Sequence, residues 1–285
     1  MDPTYWYLFP VAILIAATAN GAGVGGATFF SPLFILGLRL EPTVAIGTAL
    51  ITEVFGFASG VIGHARAGTI DWRVVRMLSA VAVPAAVAGS LLAGQAPDTA
   101  LKLVLGAGLI AIALVFVRHH DPDTEDAAIA LGIDVVAPSI QRRLVASDDR
   151  VYEYQLCRPG EGRAFAGVGG LLVGLISTGL GEANSYALVK RCRIPTRVAV
   201  AVSVTVVAVT ALAASVTHFI EFATGDETPF DQIISIITFT IPGVIIGGQL
   251  GPLVVARIPE QRLVRTLGWL FLIVAALTLA EVALG

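Results

Sequence analysis

Charged residues are scarce in this chain of 285 residues: Asp, Glu, Lys and Arg together make up 14% of it, whereas hydrophobic residues make up 56%. Soluble domains typically contain about 25% charged residues. A soluble protein of this length has too little polar surface to cover so many apolar side chains. The composition therefore indicates that lipid, rather than water, surrounds most of the chain.

The sequence also lacks a basic excess, since 18 Lys and Arg residues stand against 21 Asp and Glu residues. This balance excludes nucleic acid as a partner. Cysteine occurs twice, at Cys157 and Cys192, which is too few for a disulfide framework or a four-thiolate zinc site. We interpret both as small buried or interfacial residues, and we expect neither a metal nor a cofactor.

Long segments without charge are present instead. A bilayer core about 30 Å thick needs about 20 apolar residues per helix. Six segments are close to this length, with charged residues only at Glu53 in the first and at Arg76 near the start of the second: residues 43–63, 74–94, 103–117, 198–217, 233–256 and 266–280. The sequence therefore predicts an all-α polytopic membrane protein that contacts the lipid bilayer along most of its length.

Two further apolar stretches, residues 5–38 and 164–189, are interrupted near the middle by glycine and polar residues. Glycine frees the backbone to turn, and non-helical backbone within the bilayer is tolerated only inside protein or against a water-filled cavity. Each stretch is therefore predicted to form two short half-helices that meet at a buried turn, which we call a break.

The two halves of the chain share landmarks in the same order. A proline begins the first full span of each half, and the next span contains a proline followed five residues later by a glycine: Pro42 and Pro195, then Pro84 with Gly89 and Pro242 with Gly247. We predict two repeats, residues 1–118 and 163–285, each a broken hairpin followed by three transmembrane helices. Because the number of crossings is odd, the second repeat is inverted. Residues 119–162 form a hydrophilic insert with a small β-hairpin.

Basic residues cluster in three predicted loops, at residues 66–76, 190–197 and 257–265. Cytoplasmic loops of membrane proteins are rich in Lys and Arg. If these loops and the insert are cytoplasmic, every crossing alternates correctly and both termini lie outside. We therefore predict a multi-pass protein of the cytoplasmic membrane.

Inverted repeats with discontinuous helices are typical of secondary transporters, whose substrates bind near the midplane where the breaks face each other. Free backbone N–H groups at the start of a half-helix favour an anion there. We predict that the following residues bind a small anionic substrate: Asn20, Gly21, Gly23, Gly25, Gly26 and Thr28 in the first break, and Thr178, Gly179, Gly181, Asn184 and Ser185 in the second. The alternative is that glycine only permits tight helix packing, which is the simpler explanation for an isolated glycine such as Gly89.

Two carboxylates lie within apolar membrane segments, Glu53 in the first full span and Glu182 in the second break. An acid inside the membrane is costly and usually marks a proton relay or an ion ligand. We therefore name both as candidates for proton or ion coupling, the alternative being a protonated or paired glutamate that only cross-links helices. His64 and His218 are predicted at span ends, as interfacial residues.

The glycine-rich run at residues 21–26, Ser31-Pro32-Leu33, the run at residues 45–50 and the segment at residues 68–72 resemble the sulfite exporter TauE/SafE family of membrane permeases. The resemblance covers nearly the whole chain outside the insert. It implies export of a small sulfur-containing or organic anion, such as sulfite or sulfoacetate, bound between the two breaks. The second break departs from the family pattern at Glu182, which would add negative charge to an anion site.

Other functions stay open at this point. A proton- or cation-coupled permease of another small solute would use the same architecture, and a membrane sensor or scaffold would use the insert as its readout. We do not expect an enzyme, because the breaks contain no Ser/His or Cys/His pair at helical spacing. The exact substrate, the coupling ion, the transport direction and a homodimeric state are also left open by the sequence.

Overall fold

The computed structural model describes residues 2–22, 25–118, 140–156, 159–179, 181, 184, 188, 192, 194–224, 230–255 and 260–284. These residues form a 3₁₀ turn at Pro3–Tyr7 and then α1 (Leu8–Ala22), α2 (Ala27–Pro32, continued by a π-helical segment at Leu33–Gly37), α3 (Pro42–Arg66), α4 (Trp72–Ala93), α5 (Asp98–Arg118), β1 (Ile140–Val145), β2 (Val151–Leu156), α6 (Pro159–Ile176), α7 (Thr196–Thr224), α8 (Phe230–Val255) and α9 (Glu260–Leu284). The predicted all-α membrane architecture is confirmed.

The helices have apolar side chains both on the faces that pack in the core and on the faces that are exposed. By length and composition, α3, α4, α7 and the Phe230–Leu250 part of α8 can each cross a bilayer, while α5 and α9 cover the two remaining predicted spans. Large apolar side chains on the outer faces are exposed, among them Leu14 at 67% and Trp269 at 57%. Such faces are stable in lipid and not in water, so the architecture is that of an integral membrane protein.

Both interrupted stretches stop being helical where the glycines and polar residues predict it. In the first, α1 ends at Ala22 and α2 begins at Ala27. In the second, α6 ends at Ile176, and the backbone turns through positive φ angles of 59° at Ser177 and 106° at Gly179. The predicted half-helix that follows the second break lies largely outside the described residues.

The helices of the two halves interlock. Helix α1 packs along α8, and α6 packs along α4. In the predicted repeat, α1 corresponds to α6 and α8 corresponds to α4, so the first of these pairs corresponds to the second. Helix α3 packs on α7 and α5 packs on α9, and each of these pairs corresponds to itself. Two repeats related by a two-fold axis would produce this pattern of contacts, although the inversion of the second repeat stays a prediction.

Glycine allows the broken helices to pack closely against their partners. A Cβ atom at Gly174 of α6 would overlap the backbone of Ala86 in α4, and one at Gly89 of α4 would overlap the carbonyl oxygen of Leu171. A Cβ at Gly247 of α8 would likewise overlap the backbone of α1. Small residues at such crossings are the usual means of close helix packing in membranes. The interpretation of Gly89 as a packing residue agrees with this geometry.

The predicted β-hairpin of the insert is present. Strands β1 and β2 pair antiparallel, with Ile140 opposite Leu156 and Val145 opposite Val151. Asp149 in the connecting turn has a φ of 59°. A hairpin of two strands is marginally stable by itself, so its contacts with the helices decide whether it is ordered.

Asp71 attaches the hairpin to the loop between α3 and α4. Its carboxylate is 2% exposed and caps α4 by accepting a hydrogen bond from the N–H of Arg73. It also accepts hydrogen bonds from Arg142 Nη2 at 2.7 Å, Arg142 Nε at 3.0 Å and the Tyr154 hydroxyl at 2.7 Å. Burial raises the pKa of Asp71, but the hydrogen bonds from Arg142 and Tyr154 and the charge of Arg142 outweigh burial, so this pKa lies below its usual value.

The hairpin turn makes further contacts with both halves. Ser147 donates from its N–H to the Ala67 carbonyl at 3.0 Å and from its hydroxyl to the Arg66 carbonyl at 2.7 Å, at the end of α3. Asp148 accepts a hydrogen bond from Arg197 Nη1 at 3.2 Å, in the first turn of α7. The hairpin therefore bridges the α3–α4 loop of the first half and the start of α7 in the second.

Contacts between helix ends define a second end of the molecule, remote from the hairpin. Helix α4 begins beside the hairpin and ends at Ala93, whose carbonyl accepts a hydrogen bond from Thr43 at the start of α3. On the same side, Lys102 near the start of α5 pairs with Glu281 near the end of α9 at 3.0 Å. These contacts place the end of α4 beside the start of α3 and the start of α5 beside the end of α9, while the transmembrane topology and the end that faces the cytoplasm stay predictions.

His218 does not lie at a span end, so the interfacial interpretation is wrong. Helix α7 continues to Thr224 and leaves the His218 side chain 0% exposed. The His218 ring is stacked on Phe222, and its Cβ would lie 2.9 Å from a Cβ placed at Gly47 of α3. The polar character of His218 and Glu221 suggested that the span had ended, but the fold buries the histidine between helices.

Cys192 is partly buried against the hydrophobic core, in agreement with the interpretation as a small buried residue, and it is also disulfide-bonded, which the sequence did not predict. Cys157, the other cysteine of the chain, lies outside the described residues. Disulfide formation requires two cysteines with Cα atoms within about 7 Å of each other. The number of residues between two cysteines does not determine the distance between their Cα atoms, which depends on the fold.

Candidate functional site

The two breaks meet through four hydroxyl groups. The Oγ1 atoms of Thr28 and Thr178 lie 2.6 Å apart, and the Oγ atoms of Ser31 and Ser177 lie 2.5 Å apart. All four side chains are at most 3% exposed. Thr28 and Thr178, both predicted site residues, are therefore in direct contact across the two halves of the chain.

Local backbone geometry presents these hydroxyls to one another. Helix α2 begins where the N–H of Phe29 donates to the Gly26 carbonyl at 2.9 Å. Thr28 and Ser31 are three residues apart, so they lie on one face of α2. On the opposite side, the left-handed conformation of Ser177 ends α6 and turns the chain toward α2. This conformation is uncommon for a residue with a side chain and often marks a functional site.

Ser31 and Ser177 are site residues that the sequence analysis missed. Both belong to the segments recognised as breaks or as family motifs, but neither was singled out. The available signal was helical spacing: Ser31 follows Thr28 by three residues, and Ser177 directly precedes Thr178. Serine is also common at helix crossings in membranes, so this signal alone does not distinguish a site from packing.

Asn184 adds an amide to the second break. Its side chain is 1% exposed, and no described residue accepts a hydrogen bond from its Nδ2. A buried donor without an acceptor is costly, and such groups commonly mark a place for a ligand or a water molecule. Nearby in sequence, the carbonyl of Gly181 accepts a hydrogen bond from the Ser203 hydroxyl of α7 at 3.0 Å, which fixes the backbone of the break.

The other predicted site residues divide into those that belong to the break and those that are not described. Asn20 and Gly21 form part of the last turn of α1, Gly25 and Gly26 precede α2, and Gly179 has the positive φ of 106° that favours glycine. The following predicted residues lie outside the described part of the chain: Gly23, Glu182 and Ser185.

Glu53 lies directly against the first break. Its side chain is 4% exposed, and its Oε1 would lie 2.9 Å from a Cβ at Gly25 and 3.8 Å from one at Gly26. A side chain at Gly25 would therefore displace the carboxylate. Beside Glu53, a cavity of about 10 Å³ lies between α1, α2, α3 and α8. Such a volume holds about one water molecule.

Another hydroxyl pair, outside the two breaks, fixes the helix that carries Glu53. Thr52 Oγ1 of α3 lies 2.9 Å from Thr240 Oγ1 of α8, and both residues are 0% exposed. Further along both helices, the Gln249 side chain of α8 donates to the Ser59 hydroxyl of α3. These contacts set the position of the carboxylate relative to the break.

The chemistry of the site is that of neutral donors buried where the two breaks meet inside an apolar bundle. Within the described part of the chain, no cluster of three or more His, Cys, Asp or Glu residues is arranged to hold a metal ion. Hydroxyl and amide groups can bind an oxyanion without a permanent opposite charge.

Comparison with known proteins connects this geometry to a family. The model of the family described as "Sulfite exporter TauE/SafE" matches residues 8–278. The "Probable membrane transporter protein YjnA" of Bacillus subtilis (strain 168) is 28% identical over 253 residues, which cover 85% of this chain and 88% of that protein. The "Probable membrane transporter protein ORF9" of a Sinorhizobium species is 32% identical over 110 residues, 39% of this chain and 41% of that protein. No solved structure matches the chain.

The family match spans both breaks and all the transmembrane helices, and the relative from Bacillus subtilis is similar over nearly its whole length. An integral membrane protein with two buried breaks that meet inside the bundle is a membrane transporter by architecture as well as by similarity. The chain belongs to the sulfite exporter TauE/SafE family.

Proposed function

We propose that this transporter exports a small sulfur-containing or organic anion, such as sulfite or sulfoacetate, across the cytoplasmic membrane. The anion binds between the two breaks, at the paired hydroxyls of Thr28 with Thr178 and of Ser31 with Ser177. The description of the family supports the sulfur oxyanion. The hairpin end of the molecule, which carries the basic loop at residues 66–76, faces the cytoplasm under this proposal.

The observation that carries the proposal is the Thr28–Thr178 contact of 2.6 Å, because it joins the two halves through groups that suit an anion. One of these two hydroxyls donates a hydrogen bond to the other. An oxyanion that enters between them accepts a hydrogen bond from both, and hydrogen bonds to a charged acceptor are about twice as strong as neutral ones. Substrate binding therefore replaces one buried interaction with two stronger ones.

Neutral donors also suit release. A transport site must bind well enough to select its substrate and weakly enough to let it leave. A buried arginine would hold an oxyanion through paired charges, whereas hydroxyl and amide donors hold it by hydrogen bonds alone. The buried Nδ2 of Asn184 is a third donor of this kind in the second break.

Outward movement of an anion is energetically favourable in a cell that is negative inside. One elementary charge gains about 2.3 kcal/mol in a potential of about 100 mV, so a divalent anion gains about 4.6 kcal/mol. The membrane potential alone is therefore a sufficient driving force for export.

The proposal is tested by flux from proteoliposomes that contain the purified protein and labelled sulfite, sulfate, sulfoacetate or thiosulfate, with the membrane potential and the pH gradient varied separately. Efflux of a sulfur oxyanion driven by the potential is expected. Thr28→Val and Thr178→Val keep the side-chain shape and remove one donor each. Since an unmade buried hydrogen bond costs about 1–3 kcal/mol, each variant should slow flux about 5- to 150-fold.

Thr278→Val is the matched control, because Thr278 is also 0% exposed but donates to the Val274 carbonyl of its own helix α9. Wild-type flux is expected in this variant. Equal flux in all three variants would show that the hydroxyl pair is not the binding site. Absence of flux for all four anions in the wild-type protein would contradict the substrate class.

A further inference from the structure

A carboxylate and the proposed anion site converge on one point of the first break. A Cβ at Gly25 would lie 2.9 Å from Glu53 Oε1 and 3.7 Å from Thr28 Oγ1. The Thr28 hydroxyl is in turn hydrogen-bonded to the hydroxyl of Thr178. Glu53 is therefore close to any anion that binds at this hydroxyl pair, and the glycine between them leaves no side chain to separate the two.

Glu53 lies at mid-depth in the molecule. It is near the centre of α3, a helix of 25 residues, and is 4% exposed. With a rise of 1.5 Å per residue, both ends of such a helix are more than about 15 Å from its centre, which corresponds to the middle of a bilayer core about 30 Å thick. An acidic residue at this depth is costly, and such residues mark ion or proton pathways.

The surroundings of Glu53 indicate which ion it binds. The adjacent cavity of about 10 Å³ is lined, apart from Glu53, by alanine, glycine, phenylalanine and valine residues of α1, α2, α3 and α8. Among the described residues, none of these other lining residues is charged, and none has a side-chain oxygen. A hard metal cation requires several oxygen ligands, and the described lining of this cavity supplies only those of Glu53. A proton requires only the carboxylate itself.

We propose that Glu53 is the proton-binding site of the transporter and that its proton crosses the membrane together with the anion. This inference rests on the proposed function. Like charges within about 4–6 Å disfavour each other, so the anion binds when Glu53 is protonated and is released when Glu53 is ionised. Linkage requires the reciprocal effect, in which anion binding promotes protonation. The proton comes from water on one side, binds a carboxylate oxygen of Glu53, and returns to water on the other side.

Proton co-transport changes the response to the driving forces. A divalent anion that crosses with one proton carries one net negative charge, and a monovalent anion carries none. The direction of net transport then follows the proton gradient as well as the membrane potential, so the same protein can move its substrate either way when the gradients are reversed.

The first test does not depend on transport. Infrared difference spectra of the purified protein in lipid nanodiscs are recorded between acidic and alkaline pH, and at fixed pH with and without sulfite. The wild-type protein should show the carbonyl band of a buried carboxylic acid, and sulfite should increase it. Glu53→Gln should lack this band. Glu41→Gln, at the exposed start of the same helix, should keep it, because Glu41 makes no side-chain cap hydrogen bond.

The second test measures coupling in proteoliposomes. Glu53→Gln mimics the protonated form, so it should retain exchange of labelled sulfite across the membrane. The factor by which a pH gradient accelerates transport should be at least tenfold smaller in this variant than in the wild-type protein. All variants experience the same sulfite speciation, so this difference reports on the protein. Glu41→Gln should respond to the gradient as the wild type does. If Glu53→Gln does not fold, Glu53→Asp keeps a carboxyl group and should retain the pH response at a reduced rate.

The outcomes separate the two proposals. Retention of the full pH response by Glu53→Gln, or a carboxylic acid band that is unchanged in Glu53→Gln or insensitive to sulfite, overturns proton coupling at Glu53. Sulfite flux that persists under those conditions leaves the anion transporter standing. Absence of flux for every anion in the wild-type protein, together with a Glu53-dependent band that does not respond to sulfite, overturns both.

Discussion

The two breaks present hydroxyl groups to each other but differ in what lies behind them. At Gly25 of the first break, the position of a Cβ is 2.9 Å from the Glu53 carboxylate of α3. At Gly181 of the second break, it is 3.6 Å from a Val207 methyl group of α7, the helix that corresponds to α3 in the predicted repeat. Among the described residues, both halves thus contribute hydroxyl groups to the proposed anion site, and the carboxylate beside a break, Glu53, belongs to the first half; Glu182 of the second break lies outside the described residues.

This difference indicates how a pair of related halves can divide its tasks. Under the proposed function, hydroxyl groups from both sides hold the substrate at the interface, where a relative movement of the halves opens the site to either side of the membrane. In the further proposal, Glu53 couples that movement to a proton. Substitutions at matched positions of the two breaks test whether they differ in this way.

The largest effect is expected from Gly25→Ala. Its new methyl group would displace the flexible end of Glu53, so transport and its pH response should fall about tenfold while the unfolding temperature changes little. Gly181→Ala is the matched variant, because 3.6 Å is an ordinary van der Waals distance and it should transport at the wild-type rate. Flux assays and thermal unfolding of both variants check this. Equal loss of flux in the two variants would show that the breaks are not differentiated as described.

Asp71→Asn should have the next largest effect, because it breaks the attachment of the hairpin to the first half. Hydrogen bonds to charged groups contribute about 1.5–3 kcal/mol, so docking of the hairpin should weaken by about 2 kcal/mol. Hydrogen exchange of the amides of β1 and β2 measures this loss. Glu153→Gln is the control, since Glu153 is 75% exposed and lies 3.9 Å from Arg143. Protection that is unaltered in Asp71→Asn would contradict the proposed attachment.

The same carboxylate predicts a pH dependence. Because the folded-state pKa of Asp71 lies below its unfolded value, its contribution to stability is fully present above the unfolded pKa of about 3.9 and is lost as the pH falls through the lower, folded-state pKa. Docking should therefore be constant between about pH 5 and neutral pH and weaken below about pH 4. Asp71→Asn should lack this acid-dependent loss, which hydrogen exchange at several pH values would reveal.

A smaller effect is expected from the second hydroxyl pair of the site. Ser31→Ala and Ser177→Ala each leave one buried hydroxyl with fewer partners, and a neutral hydrogen bond contributes about 1 kcal/mol. A double-mutant cycle on the free energy of unfolding should give a coupling of about 0.5–1.5 kcal/mol between them. Additive effects would mean that the 2.5 Å contact does not stabilise the meeting of the breaks.

The smallest effect is expected from Arg197→Ala, at the attachment of the hairpin to the second half. Arg197 and Asp148 form an ion pair at 3.2 Å, but their side chains are 58% and 45% exposed. Exposed pairs contribute little, because water and salt screen them. Hydrogen exchange of the hairpin should be unchanged, in contrast to Asp71→Asn. A loss comparable to that of Asp71→Asn would show that both halves hold the hairpin equally.

Much of the architecture was predictable because it depends on local composition. Charge-free segments of about 20 residues have one stable arrangement in a bilayer, which is a helix. Glycine with polar neighbours at residues 20–26 and 177–185 indicated where the helices stop, and α1 and α6 end there. The runs at residues 144–147 and 151–156, on either side of Asp148 and Asp149, likewise predicted the hairpin, although its first strand begins earlier, at Ile140.

Contacts over long sequence distances were not predictable in the same way. The pairing of Ser31 with Ser177 joins residues separated by 146 positions, and Asp71 meets Tyr154 across 83. The burial of His218 depends on Gly47, a residue of another helix. Nothing in the local pattern around any of these residues indicates its partner, since many arrangements of the same helices would bury the same apolar surface.

Composition and segment length were sufficient to identify a membrane protein of long helices with two interrupted stretches, because they set the free energy of transfer of apolar and charged groups between water and lipid. Composition did not indicate which hydroxyl groups meet between the interruptions, that Glu53 of α3 lies against Gly25, or that Asp71 holds the hairpin. The physical reason is that hydrogen bonds and close packing act over a few ångströms, and only the arrangement of the helices brings those groups within that range.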